Sequence, residues 1–69
     1  MKVLELIGRM ASIANIKILD PYDNEIFNGR VYDIPENILE KNIFYIGAEF
    51  DEYLLPTVSI NLEEDKDEN

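Results

Sequence analysis

The sequence predicts an α+β domain whose elements follow the order α-β-β-α-β-β, with a four-stranded, mainly antiparallel sheet, one helix on a face and a short capping helix. Apolar residues recur every three or four positions near the N-terminus, which is typical of an amphipathic helix. Apolar and polar residues alternate in later stretches, which is typical of strands, and clusters of turn-forming residues separate these stretches. Because one hairpin is too small to be stable alone, we expect all the strands to share one sheet.

The N-terminal helix is predicted from apolar residues that would share one helical face. These residues are Val3, Leu6, Ile7, Met10 and Ala14. Asn15 is expected to end the helix, which would pack on the sheet.

The first hairpin is predicted over residues 16–32. Residues 16–19 form its first strand, with Ile16 and Ile18 facing the core, and residues 20–24 are rich in turn-forming types. Residues 25–32 return as the second strand, with Ile26 on the opposite face from Phe27. Asn28-Gly29 offers either a bulge that switches faces or a second tight turn, and we favour the bulge.

The central helix is predicted to begin at Asp33, whose carboxylate would accept backbone N–H groups of the first helical turn. Glu36 lies three residues later and would complete a capping box. Pro35 would occupy the first turn, where its missing N–H costs nothing. Asn42 would adopt the left-handed conformation that ends the helix.

The second hairpin is predicted from the clean alternation at 44–50, a turn at 51–52 and a strand over 53–62. In the last strand Val58, Ile60 and Leu62 would face inward. Pro56 cannot donate a ladder hydrogen bond, so this strand is either at an edge or begins at Thr57. Residues 1–62 would form a single domain, and residues 63–69 an acidic disordered tail.

Composition restricts the function classes. The chain has 69 residues, no cysteine, 15 acidic and 6 basic residues, a net charge of −9 and a pI of about 4.1. Nucleic acids and anionic membranes attract cationic surfaces, so we expect neither to bind directly. We expect a cytoplasmic protein whose partner is basic.

Few groups in the sequence could perform catalysis. Histidine and cysteine are absent, which removes the usual general base and thiolate nucleophile. Ser12 and Ser59 lack an evident base, and no phosphate-binding loop is present. We predict no enzymatic activity and no cofactor. Oxygen ligands at Asp20, Asp23, Asn24 and Glu25 could suit a hard cation, but these are common turn residues, so we predict a turn and no metal.

Outward carboxylates are the main candidates for partner binding. They are Asp20, Asp23, Glu25, Asp33, Glu36, Glu40, Glu49, Asp51 and Glu52. Duplex DNA carries one charge per about 1.7 Å of axis, so spaced carboxylates on a rigid surface could occupy a basic nucleic-acid groove. The alternative is that the acidic surface only keeps a small protein soluble.

A second candidate surface is the apolar segment Tyr53, Leu54, Leu55 and Pro56. Tyrosine provides a large contact area at low entropic cost, so this segment could form a homodimer interface. The alternative is that the tyrosines are half-buried and close the ends of the sheet.

Most of residues 16–62, including the stretch Gly29-Arg30-Val31-Tyr32-Asp33-Ile34-Pro35-Glu36, resembles a group of small acidic hypothetical proteins encoded by phages and integrated elements of Firmicutes. The most recognisable positions are Gly29, Asp33, Ile34, Pro35 and Leu39. Small phage proteins of this kind are often inhibitors of host or defence proteins, CRISPR nucleases among them. The resemblance therefore implies a non-enzymatic inhibitor with a nucleic-acid-mimicking face, acting in the host cytoplasm. The alternative is a homo-oligomeric structural or accessory phage protein.

Overall fold

A computed structural model gives the fold and describes residues 1–50, 53 and 56–64. The protein is α+β, and its elements follow the predicted order. Their bounds are α1 Val3–Ile7, β1 Asn15–Leu19, β2 Glu25–Arg30, α2 Glu36–Leu39, β3 Ile43–Phe50 and β4 Pro56–Leu62, with a 3-10 turn at Val31–Asp33 between β2 and α2.

The four strands form one sheet in the order β2-β1-β4-β3. The two predicted hairpins are antiparallel, β1 with β2 and β3 with β4. They join through a parallel pairing of β1 with β4 in the centre of the sheet, in which Ile18 lies beside Ile60. The sheet is therefore mixed. Pro56 is the first residue of a central strand, where proline is tolerated.

One face of the sheet, the core face, carries the hydrophobic core. Ile16, Ile18 and Ile60 are fully buried there. Val58 and Leu62 lie on the same face, as the alternation predicts. The opposite, open face carries polar side chains that include Lys17, which lies beside Ser59 in the parallel pairing.

The N-terminal helix is shorter than predicted, with five residues in place of about twelve. Its C-cap is Gly8, a poor helix former, and the chain then turns instead of continuing as a helix. Residues 12 and 13 form a turn, and the backbone N–H groups of Val31 and Tyr32 donate to the carbonyls of Ala14 and Ser12 at 3.0 and 3.1 Å, so the end of the predicted helix is not helical. One helix spanning a face is thus not confirmed, although the predicted apolar residues do pack against the core.

The prediction that Asp33 caps the second helix is wrong. Asp33 ends the 3-10 turn, Pro35 occupies the N-cap position, and no side chain caps α2. The reason is Ile34, which precedes a proline and is therefore held in an extended conformation, with ψ of 127°. Asn42 does not adopt the left-handed conformation, because the helix already ends at Leu39.

The second strand contains a register shift, but not at the predicted Asn28-Gly29 position. Ile18 lies opposite Phe27 and Leu19 opposite Glu25, so Ile26 is the additional residue. The shift leaves Ile26 without a partner on β1 and exposed, whereas Phe27 packs against the core. The strand ends at Arg30, two residues earlier than predicted, because Val31 begins the 3-10 turn.

The predicted alternation in the third strand is confirmed for its second half. Ile46 and Ala48 lie opposite Ile60 and Val58 on the core face, whereas Gly47 and Glu49 lie on the open face. Phe44 falls at a register shift near the start of the strand. The fourth strand begins at Pro56 and not at residue 53. Within the described ranges, the chain has no helix that is long and apolar enough to cross a membrane.

Candidate functional site

The turn between β1 and β2 is held together by Asp20. Its Oδ1 accepts the backbone N–H groups of Tyr22 and Asn24 at 2.8 and 2.9 Å, and its Oδ2 accepts the Asn24 side-chain amide at 3.1 Å. The hydrogen bond from the Asn24 backbone is the largest cause that lowers the pKa of Asp20, and those from the Asn24 side chain and the Tyr22 backbone lower it further. Asp20 therefore stabilises the turn as a carboxylate.

This turn is fixed to the end of β4. The Asn61 side-chain amide donates to Asp23 Oδ1 at 2.8 Å, and the Tyr22 hydroxyl donates to Glu64 Oε2 at 2.8 Å. Asp23 has a φ of 70°, a left-handed conformation that aspartate tolerates better than most residues. Two side-chain hydrogen bonds thus connect residues about forty positions apart in the sequence, and they hold the turn against the central strand.

Four carboxylates consequently lie at one end of the sheet. Because β1 and β4 are parallel, the turn after β1 and the residues after β4 lie at the same end. We call this the acidic end and define it by Asp20, Asp23, Glu63 and Glu64. Asp23, Glu63 and Glu64 are exposed, and their carboxylates are therefore accessible to a partner.

Cationic residues also occur near this end. The Glu63 N–H donates to the Asn42 carbonyl at 2.9 Å, and the backbones of Lys2 and Asn42 form an isolated antiparallel β-bridge. Lys2, Lys41 and the exposed Glu40 are therefore close in the fold to the residues after β4. The acidic end therefore has the cationic residues Lys2 and Lys41 near Glu63 on one side. The turn at residues 20–24 lies on the other side.

The other predicted partner-binding carboxylates are not brought to the acidic end. Glu49 lies on the open face, where it pairs with Lys17 at 2.9 Å. Glu25 begins β2 and helps to raise the pKa of Lys17. Asp33 lies in the 3-10 turn after β2, at the opposite end of the sheet, and Glu36 is the first residue of α2, where it lines a recess together with Glu40. Asp51 and Glu52 fall outside the described residues.

The ion pair on the open face has the electrostatics of a structural contact. The hydrogen bond between Lys17 and Glu49 raises the pKa of the lysine and lowers that of the glutamate, and a hydrogen bond with Ser59 lowers the Glu49 pKa further. A general acid needs a raised carboxyl pKa and a nucleophilic lysine a lowered one, so both shifts are opposite to those of catalytic groups.

The turn predicted at residues 20–24 is present, and in it the Asn24 side-chain amide donates to the Asp20 carboxylate. In residues 1–50, 53 and 56–64, no three His, Cys, Asp or Glu side chains are grouped closely enough to hold a metal ion.

Of the predicted dimer segment, Tyr53 is exposed, whereas Leu54 and Leu55 lie outside the described residues.

Sequence reasoning missed Glu63 and Glu64 because it assigned residues 63–69 to a disordered tail. The structure gives Glu63 a backbone hydrogen bond and Glu64 a side-chain partner; residues 65–69 lie outside the described ranges. The missing information was the parallel pairing of β1 with β4, which has no local signal in the sequence.

No family model matches the chain, and no curated protein or solved structure matches it either.

Proposed function

We propose that this protein acts without catalysis, by binding a basic surface of another protein through its acidic end. The observation that carries the proposal is the pair of hydrogen bonds from Asn61 to Asp23 and from Tyr22 to Glu64. They connect two separate acidic segments to one central sheet. Carboxylates held in this way have a fixed spacing, which a flexible acidic tail lacks.

Fixed carboxylates can replace phosphates in a groove that binds nucleic acid. Such grooves present Lys and Arg side chains at the spacing of backbone phosphates. The chain resembles small acidic phage-encoded hypothetical proteins, and because small phage proteins of this kind are often inhibitors, a host or defence protein such as a CRISPR nuclease is the favoured partner. Inhibition would be stoichiometric, because the protein would occupy the surface and not modify it.

Two charge reversals test the location of the binding site. Glu63→Lys reverses one charge at the acidic end, and leaves the hydrogen-bonded side chains of Asp20, Asp23 and Glu64 in place. Asp33→Lys makes the same change in net charge in the 3-10 turn after β2, away from that end. Long-range attraction to a basic protein changes equally in both variants.

The measurement has two steps. Immobilised wild-type protein first retains a partner from host lysate at low salt, and the partner is identified by mass spectrometry. Both variants are then titrated against that purified partner by calorimetry. We expect the first variant to weaken binding at least about tenfold more than the second, since local charge pairs act at short range.

Equal weakening by both variants would show that net charge alone attracts the partner, and would contradict the proposal. The proposal also fails if the second variant weakens binding more than the first. A circular dichroism spectrum of each variant controls for unfolding.

A further inference from the structure

The two edges of the sheet differ in how they are protected from pairing with another strand. In the strand order β2-β1-β4-β3, β2 and β3 have no neighbouring strand on their outer sides within the part of the chain that the structure describes. The N–H of Ile43 donates to the Met1 carbonyl at 2.8 Å, so the N-terminal segment reaches only the first residue of β3. From Phe44 onward, no strand among residues 1–50, 53 and 56–64 pairs with the outer side of this edge.

The β2 edge carries the features that usually prevent strand addition. It begins at Glu25, ends at Arg30 and contains the register shift at Ile26. Charged side chains and irregular backbone both make an edge a poor template for another strand.

The β3 edge has a register shift only at Phe44, near its start, and its register is regular from Tyr45 to Phe50. Its single charged residue is Glu49, and Lys17 neutralises that charge. Four large apolar or aromatic side chains of the strand are exposed: Phe44 by 76%, Tyr45 by 62%, Ile46 by 44% and Phe50 by 70%.

The apolar exposure continues onto the core face. Ile46 and Ala48 lie on the same face as the buried Ile60, but the helical segments leave Ile46 and Ala48 exposed. A recess of about 310 Å³ next to them is lined by residues that include Ala14, Ala48 and Val58. The edge and the adjoining part of the core face therefore form one apolar surface.

We propose that a second copy of this chain pairs with β3, antiparallel and across a two-fold axis, so that the two four-stranded sheets become continuous. A two-fold axis perpendicular to the sheet keeps each face on its own side. Ile46 and Phe50 of one copy then lie on the same face as those of the other. The free N–H and C=O groups of both edges pair with each other.

The pattern of the β3 edge favours a second copy as the occupant, because antiparallel pairing across a two-fold axis brings the same exposed apolar side chains together. A basic partner is attracted to the acidic end, whereas the β3 edge is locally neutral. Two neutral apolar edges can meet without bringing unpaired charges together, even though each chain carries −9 overall.

The available area predicts a weak dimer. A fully exposed aromatic side chain provides roughly 150–250 Å² of contact area. When each of the four side chains is weighted by its exposed fraction, together they present roughly 400–500 Å² per copy. A standard stable interface buries about 800 Å² per partner. We therefore expect a dimer that dissociates on dilution.

The chain offers a matched pair of variants for the test. Ile46 on the β3 edge and Ile26 on the β2 edge are both 44% exposed. Ile46→Lys would place two like charges near the two-fold axis, and Ile26→Lys makes the same change of residue and net charge on the opposite edge. Sedimentation equilibrium over a concentration series measures the dimer dissociation constant. We expect Ile46→Lys to raise it at least about tenfold and Ile26→Lys to leave it within about twofold of wild type.

Hydrogen exchange provides a second measurement that needs no variant. Backbone amides on the outer side of β3 should become more protected as the wild-type concentration rises, whereas those of β2 should not. If Ile46→Lys unfolds the protein, Phe50→Lys at the exposed end of β3 replaces it. The proposal is wrong if wild type remains monomeric at about 500 µM, if Ile26→Lys disrupts association as strongly, or if the concentration-dependent protection lies outside β3.

Discussion

The acidic end and the β3 edge show how one small sheet can present two surfaces with different physics. The acidic end is polar and charged, and side-chain hydrogen bonds fix its geometry. The β3 edge is locally neutral and apolar, and its exposed groups are the backbone and four large side chains. We therefore expect the two surfaces to favour different partners, and conditions that weaken binding at one surface should not weaken binding at the other in the same way.

Both surfaces depend on the central strand pair, so a core substitution should remove them together. Ile60 on β4 is fully buried beside Ile18. Ile60→Ala should cost about 2–5 kcal/mol of unfolding free energy by leaving a cavity. A 69-residue domain has roughly 3–10 kcal/mol in total. Urea denaturation followed by circular dichroism measures the loss.

Ile26→Ala is the matched control for this prediction, because Ile26 is partly exposed on the β2 edge. We expect it to cost less than about 1 kcal/mol. Equal costs for the two substitutions would contradict the assignment of β4 to the centre of the sheet.

Added salt should change the dissociation constants at the two surfaces in opposite directions. Binding of a basic partner at the acidic end should weaken several-fold between 50 and 300 mM salt, because screening reduces attraction between opposite charges. Dimerisation through β3 should strengthen over the same range, because screening reduces the repulsion between two chains of −9 each. Calorimetry and sedimentation measure the two dissociation constants. A change of the same sign in both would contradict this division of roles.

The sequence contained much of the information for the β3 edge and little of that for the acidic end. Alternation placed Ile46 and Ala48 on the face of Ile60, because side-chain direction in a strand has a strict period of two. The turn residues Asp20 and Asn24 were also recognisable from their local chemistry.

Long-range pairing could not be predicted in the same way. The parallel contact of β1 with β4 brings Glu64 to Tyr22, and no periodicity in either strand specifies that neighbour. The cap predicted at Asp33 failed for a local reason, since Pro35 holds Ile34 in an extended conformation. The length of α1 was overestimated because an apolar residue can pack on the core from a turn as well as from a helix.

Acid should weaken the hydrogen bonds that the Tyr22 and Asn24 backbones donate to the Asp20 carboxylate at the acidic end. Hydrogen bonds from the Asn24 and Tyr22 backbones favour the Asp20 carboxylate and lower its pKa from an ordinary value of 3.8. The folded state therefore holds this proton less tightly than the unfolded state does. The stabilisation from Asp20 is fully present above pH 3.8 and is lost as the pH falls through the lowered pKa.

The amide proton chemical shifts of Tyr22 and Asn24 report this titration, because both groups donate to Asp20 Oδ1. We expect both to move together below pH 3.8 and to stay constant above about pH 5. Asp20→Asn keeps an oxygen acceptor but has no ionisable group, so in this variant the Asp20-dependent shift should disappear. The amides of β2 and of the outer β3 edge provide the reference within the same spectra. If Asp20→Asn retains the titration, another carboxylate controls the turn, and the acidic end is not organised by Asp20.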